Sequence, residues 1–289
     1  MKMRFIALFF LLISFFIYEE LFASALSRDD AIKLFTDANE NYQQAAKLIA
    51  AKNNQEADKK LHDAALQYEK ILTNGFEHGQ IYYNLGNTYY RQGALGKAIV
   101  NYRRAQRLLP RHADPDANLK LVKSAIEDKE LVHETPVAIQ RIFFWLFLLN
   151  QNELILTAVS LYAVLIVLIL SFIILKYPWF KRIIISVTFG LCIVVVSLGI
   201  KIYREQGIHR GVIVVKKCQI LYGPGKEYEP KFEIHDGAEC VVEDEKDGWY
   251  RVYMYVGVKQ DMESKAVMEE KASKELRRGW LQKGDVDII

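Results

Sequence analysis

The chain has 289 residues, 51% of them hydrophobic and 25% charged, with a formal net charge of +3. That length leaves room for two modest soluble domains beside a membrane segment. The small charge, with no long basic run interleaved with aromatics, argues against nucleic acid as a partner.

Residues 1–25 read as an export signal. Lys2 and Arg4 form a basic start, Phe5–Tyr18 a short apolar core, and Ala23-Ser24-Ala25 a small-x-small cleavage site. Glu19 and Glu20 also fit an uncleaved anchor, and either way the segment that follows is exported. No cysteine follows at a lipidation position.

Residues 28–135 carry the most specific pattern. Tyr82, Leu85, Gly86, Tyr89, Ala98, Tyr102, Ala105 and Pro110 match W-x2-L-G-x2-Y…A-x3-F…P, with Tyr standing for Trp and for Phe. The spacing predicts two packed helices, with Gly93 and Gly96 in the turn and Pro110 ending the second. Residues 79–112 thus resemble a tetratricopeptide repeat. Upstream, Phe35, Ala38, Asn39 and Tyr42, then Ala64, Tyr68 and Ile71, resemble another repeat, with Asn in place of the usual Gly. The surplus at Ala45–Lys60 is expected to lengthen its helices. Pro115–Lys129 reads as an amphipathic capping helix, with Leu119, Val122 and Ile126 on one stripe. On the first helix of the best repeat, Gln80, Asn84, Asn87 and Arg91 fall opposite the core stripe. The resemblance implies that they line a concave groove for a peptide or protein, extended by Asp37 and Glu40. An ordinary solvated helix face is the alternative.

Residues 136–153 are aromatic at Phe143, Phe144, Trp145 and Phe147. They suit a segment lying in the membrane interface or a protein contact beside it. Leu154–Leu175 and Ile183–Ile200 contain no charged residue. At 1.5 Å per residue the first reaches roughly 33 Å, enough to cross a hydrocarbon core. The reading is two transmembrane helices, 154–175 and 183–203, joined by a cytoplasmic loop at 176–182. Lys176, Lys181 and Arg182 favour the cytoplasm for that loop, so both flanking domains lie outside. Two buried helices of a soluble core are the bland alternative.

From 209 to 289 the composition shifts to short β-type segments between Gly turns. Gly211–Lys216, Cys218–Tyr222, Phe232–Ile234, Cys240–Val242, Trp249–Val252 and Gly279–Leu281 are the expected strands. An insertion at 255–276 suggests a hairpin extension or a short helix. The order resembles a bacterial SH3-like barrel, which implies a peptide or cell-wall surface built on Trp249, Tyr250 and Trp280. The alternative is that these aromatics fill the core. Cys218 and Cys240 lie in this exported part, where a disulfide is permitted; two buried thiols on adjacent strands are the favoured alternative.

The expected fold class is therefore a multi-domain membrane protein: an all-α tetratricopeptide superhelix, a transmembrane helical hairpin and a small all-β SH3-like barrel. That order, with Tyr82-Tyr-Asn-Leu-Gly-Asn-Thr-Tyr89, Lys97-Ala-Ile99 and the late Gly-Trp-Leu, resembles the BatE-like proteins of the Bacteroides aerotolerance operon family. The resemblance implies an accessory protein of the bacterial inner membrane, with membrane-anchored von Willebrand A-type proteins as partners and, through them, a MoxR-type ATPase. A non-catalytic scaffold is the leading reading. Anchoring to peptidoglycan through the barrel is the second. For an enzyme there is little: His62, His78, His112, His133, His209 and His235 form no metal-spaced pair, and no nucleophile motif or phosphate loop is present. No cofactor or metal is expected.

Overall fold

The computed structural model describes residues 26–128, 143–207, 209–257 and 274–289. The export signal and most of the 255–276 insertion lie outside the described residues. The chain forms two compact units, which meet in sequence at Ile81 and Tyr82.

The first unit is a long helical hairpin, α1 (Arg28–Ala50) and α2 (Asn54–Thr73). Ser27 caps α1 by accepting the Asp30 amide at 3.1 Å, and Asp29 and Asp30 suit the positive end of the helix dipole. Ala31, Ala38 and Ala45 make a small, buried stripe along α1. Leu61, Ala64, Tyr68 and Ile71 are buried on α2. The surplus at 45–60 is divided between the end of α1, a turn with Lys52 at φ +60°, and the start of α2. Phe35 meets Tyr68 edge-on at 6.0 Å. Asn39, which replaces the customary glycine, accepts the Tyr68 hydroxyl at 2.7 Å.

The second unit begins with α3 (Gly79–Arg91, whose first residues belong to the first unit), α4 (Leu95–Leu108) and α5 (Ala113–Ala125). The small residue at position 86 is dictated by the facing ring: a Cβ there would lie 2.8 Å from Tyr102 ring carbons. Pro115, Leu119 and Val122 are the buried stripe of α5.

The short α6 (Phe144–Leu148) precedes α7 (Gln151–Leu175) and α8 (Trp179–Gln206). α7 opens with a reciprocal cap: Asn150 accepts the Glu153 amide and Glu153 accepts the Asn150 amide, each at 2.9 Å. Both helices are long and apolar enough to cross a membrane, and almost none of their length is buried in the protein. Leu156, Ile174 and Phe189 are 67%, 76% and 68% exposed. That is not how core helices of a soluble protein behave. The connection is shorter than expected. Lys176 closes α7 at φ +57° and Pro178 is the cap residue before α8, so 179–182 belong to the helix, not to the loop. α6 leans on α8: Trp145 Nε1 donates to Ser197 Oγ at 3.0 Å, and Lys201 Nζ donates to the carbonyls of Leu146 (3.2 Å) and Leu149 (2.6 Å).

The C-terminal strands are β1 (Arg210–Ile213), β2 (Lys217–Leu221), β3 (Pro230–His235), β4 (Glu239–Lys246), β5 (Trp249–Gly257), β6 (Lys274–Gln282) and β7 (Val286–Ile288). They form one antiparallel sheet in the order β3-β2-β6-β5-β4-β1-β7. The sheet is open, because its edge strands β3 and β7 are not paired with each other, so the strands do not form the closed barrel expected. β7, outside the strands expected from the sequence, completes the far edge beside β1. Pairing of β5 with β6 continues to Gly257↔Lys274, so the flanks of the insertion extend a hairpin. Ile213, Ile220, Ile234, Val252, Met254 and Leu281 form the core beneath the sheet.

Candidate functional site

The polar stripe of α3 is not uniform. Gln80 and Asn84 are half-buried and Arg91 is exposed. Asn87 is committed within the protein: its Oδ1 accepts the Tyr102 hydroxyl and Asn118 Nδ2, both at 2.8 Å. Asn118 also reaches Tyr83 Oη at 3.2 Å. Asn87 therefore locks α3 to α4 and α5 and does not stand on a purely solvated face. Its amide nitrogen makes no hydrogen bond among the described residues. The helical spacing located this residue; the reach of the Tyr102 hydroxyl around Gly86 decided its use.

The three aromatics of the sheet divide between its faces, as neighbours on a strand must. Tyr250 packs against the core cluster. Trp249 and Trp280 lie on the opposite face, where Arg251 pairs in register with Trp280 and holds its guanidinium 5.8 Å from that ring. One residue pair along, Arg278 lies 5.9 Å over Tyr253. Glu243 joins the two arginines, at 3.4 Å from Arg251 and 3.1 Å from Arg278. The expected three-aromatic surface thus reduces to two tryptophans set among arginines.

No disulfide joins Cys218 and Cys240, and both thiols are buried in the core. They sit on β2 and β4, which are not neighbours in the sheet. Burial, aided by the Asp285, Asp128 and Glu233 charges, pushes the Cys218 thiol up to about 12.

The sheet also carries a contact that sequence reasoning missed. Asp236, in the turn between β3 and β4, accepts the first amides of α4, Leu95 N–H at 2.8 Å and Gly96 N–H at 2.9 Å. It caps a helix 140 residues away. A Cβ on Gly96 would lie 1.9 Å from the Ile213 carbonyl oxygen. Gly237, at φ +89°, leaves room for Ile126 and Ile99. Glu239 is buried and takes Arg103 in a fork, at 3.0 and 3.1 Å, with Lys123 at 3.0 Å. Burial raises its pKa, but the charges and hydrogen bonds of Arg103 and Lys123 outweigh that and hold the carboxyl below its ordinary range. The Asp236 carboxyl is instead raised: burial dominates the amide bonds that favour its charge. Arg104 closes the edge by reaching Asp287 at 2.8 Å and the Ile288 carbonyl at 2.7 Å. His235 is held by Asp128, which accepts its backbone amide at 2.7 Å. A lone charged strand residue gives no hint of a helix that docks on it, so no local signal could have found this contact.

Among the described residues, no group of three or more His, Cys, Asp or Glu is placed to hold a metal ion. The tetratricopeptide repeat family model matches residues 79–112, the stretch from α3 to the turn after α4. No curated protein matches the chain.

Proposed function

We propose that the protein is a non-catalytic membrane scaffold that binds protein partners through its tetratricopeptide face. The observation that carries this reading is the matched repeat at 79–112, joined to two helices whose apolar side chains face outward. Repeats of this kind present a helix face to peptides or proteins. On α3, Arg91, Asn84 and the unused amide of Asn87 are the groups suited to backbone carbonyls and carboxylates. The BatE resemblance adds the expected setting: an inner-membrane protein with both soluble parts outside the cytoplasm, an SH3-like C-terminal module, von Willebrand A-type partners and, through them, a MoxR-type ATPase. The docking of residues before the hairpin on residues after it fits that two-pass arrangement.

The test is co-purification of the tagged full chain in mild detergent, comparing wild type with Asn84→Ala/Arg91→Ala, which spares the Asn87 network. Recovery of von Willebrand A-type membrane proteins that the variant loses supports the scaffold. Wild type recovering no protein partner, or the variant recovering all of them, overturns it.

Trp249 and Trp280, on one outer face among arginines, favour a second reading, attachment to peptidoglycan. It requires the full chain in detergent to sediment with purified sacculi and Trp280→Ala to release it.

A further inference from the structure

A cleft of about 280 Å³ opens where the repeat, the short α6, the end of α8 and the first strand come together. Its floor is basic. α4 contributes Arg103, Arg104 and Arg107, α8 contributes Lys201 and Arg204, and β1 contributes Arg210, against two acidic groups in the lining, the Glu205 side chain and the main-chain carboxylate of Ile289. Half of these cations are already satisfied. Arg103 is bound by Glu239, Arg104 by Asp287, and Lys201 by Glu205 at 3.5 Å and by two carbonyls. Arg107, Arg204 and Arg210 have no acidic partner among the described residues. Arg204 lies 5.4 Å over the Phe147 ring, which orients its guanidinium and leaves the charge uncompensated.

Three guanidinium groups outside any ion pair, in a cleft where six cations outnumber two anions, suit a further anion, and their planar forks match phosphate oxygens. The other wall is apolar, built by Leu146, Phe147 and Ile200. A small soluble anion has no use for such a wall; an amphiphile has. The position along α8 gives the same answer, since the apolar run ends at Ile200 and the charged residues start at Lys201. In a spanning helix that step marks the headgroup layer. Below the cleft, Ile193, Val196 and Ile200 remain exposed along α8, where acyl chains would run.

We propose that this cleft binds the phosphate headgroup of an anionic phospholipid, with Arg107, Arg204 and Arg210 as its ligands. The inference rests on the reading that α7 and α8 span a membrane. Bound lipid would fill the gap between the repeat and the membrane helices and fix the soluble part against the bilayer surface.

The test uses the full chain in dodecyl maltoside. Native mass spectrometry follows retention of dioleoylphosphatidylglycerol against dioleoylphosphatidylcholine. One phosphatidylglycerol per chain, preferred about tenfold or more, is expected, with the preference lost in Arg107→Gln/Arg204→Gln/Arg210→Gln. The single variant Arg107→Gln, at a residue without an ion pair, is expected to weaken retention with unchanged thermal unfolding. Lys181→Gln/Arg182→Gln, at the opposite end of α8, is the control and should retain lipid as wild type does. Equal retention of the two lipids, equal loss in the control, or displacement of phosphatidylglycerol by millimolar inorganic phosphate overturns the proposal; the last result makes the cleft a free-anion site. Alkaline carbonate extraction separates the two readings. Release of the chain from membranes defeats the spanning reading itself, whereas a membrane-retained chain without lipid preference defeats this inference alone.

Discussion

Gly96→Ala is the sharpest test of the contact between repeat and sheet, because two arguments predict opposite signs. Gly96 lies in the first turn of α4 with ordinary helical backbone. From the helix alone, alanine there should stabilise by roughly 0.5–1 kcal/mol. From the docked structure it cannot be accommodated. The added Cβ would lie 1.9 Å from the Ile213 carbonyl oxygen and 2.5 Å from Asp236 Oδ1. Relief to an ordinary contact of about 3.5 Å needs a retreat of roughly 1.5 Å, and the obstacle is backbone on a strand paired to β4 and β7. Such a retreat breaks both amide bonds to Asp236. Hydrogen bonds to a charged group are worth about 1.5–3 kcal/mol each. After crediting the helix gain, and allowing water to replace part of the loss, a net destabilisation of about 2 kcal/mol remains. Hydrogen exchange on the full chain in detergent reads it directly. The Leu95 amide should lose its protection, and the thermal transition should fall. Gly284→Ala, where a Cβ meets nothing within 4 Å, should change neither. A Gly96→Ala protein with a raised transition and intact Leu95 protection would refute the docked arrangement.

Three further outcomes follow from the same geometry. Glu239→Gln leaves Arg103 and Lys123 facing each other without their shared anion. Their side chains are 25% and 24% exposed, so the cost should be about 2–3 kcal/mol, below that of a fully buried pair. Glu239 has a lowered pKa, so its stabilisation is present above the ordinary carboxylate range and is lost as pH falls through the folded value. Acid should therefore destabilise wild type more than Glu239→Gln, and equal slopes in pH-dependent melting would contradict the ion cluster. Asn87→Ala removes the shared acceptor of Tyr102 and Asn118 and should cost about 1–3 kcal/mol. Combined with Tyr102→Phe it should cost less than the two changes separately, and strict additivity in the double-mutant cycle would deny the bond. Cys218, with its thiol pushed up to about 12, should resist iodoacetamide at pH 8 in the folded chain and react once denatured; rapid native labelling would place it outside the core.

The helices and most strands were legible because each depends on residues close in sequence. The repeat positions from Tyr82 to Pro110 fixed a helix pair, and the apolar runs fixed α7 and α8. Asn87 lies opposite the core stripe by helical arithmetic, but the hydroxyl of Tyr102 is long enough to reach it past Gly86. Turn spacing located strands and could not say whether their edges close. β7 is three residues long, too short for alternation to register. The division of Trp249 from Tyr250 was available, since consecutive strand residues face opposite ways. Asp236, Glu239 and Gly96 are different. Each looks ordinary in its own segment, and only a contact more than a hundred residues away gives it meaning.

That long-range contact also bears on how the hairpin is used. Arg103 and Lys123 precede α7, and Glu239, which binds both, follows α8. A chain that crossed a bilayer once between them would hold these charges about 30 Å apart across hydrocarbon. If α7 and α8 each cross, the chain returns to the side it left and the cluster can close, so the ion pairs that hold the repeat on the sheet are compatible with the proposed two-pass arrangement. The constraint acts in the other direction as well. The two halves of the contact are separated by more than a hundred residues of chain, a loop whose closure is entropically costly, and the paired helices α7 and α8 bring their ends together at one surface. Docking and membrane insertion would then reinforce each other. For the proposed scaffold, that coupling would keep a partner bound at α3 at a fixed distance from the membrane.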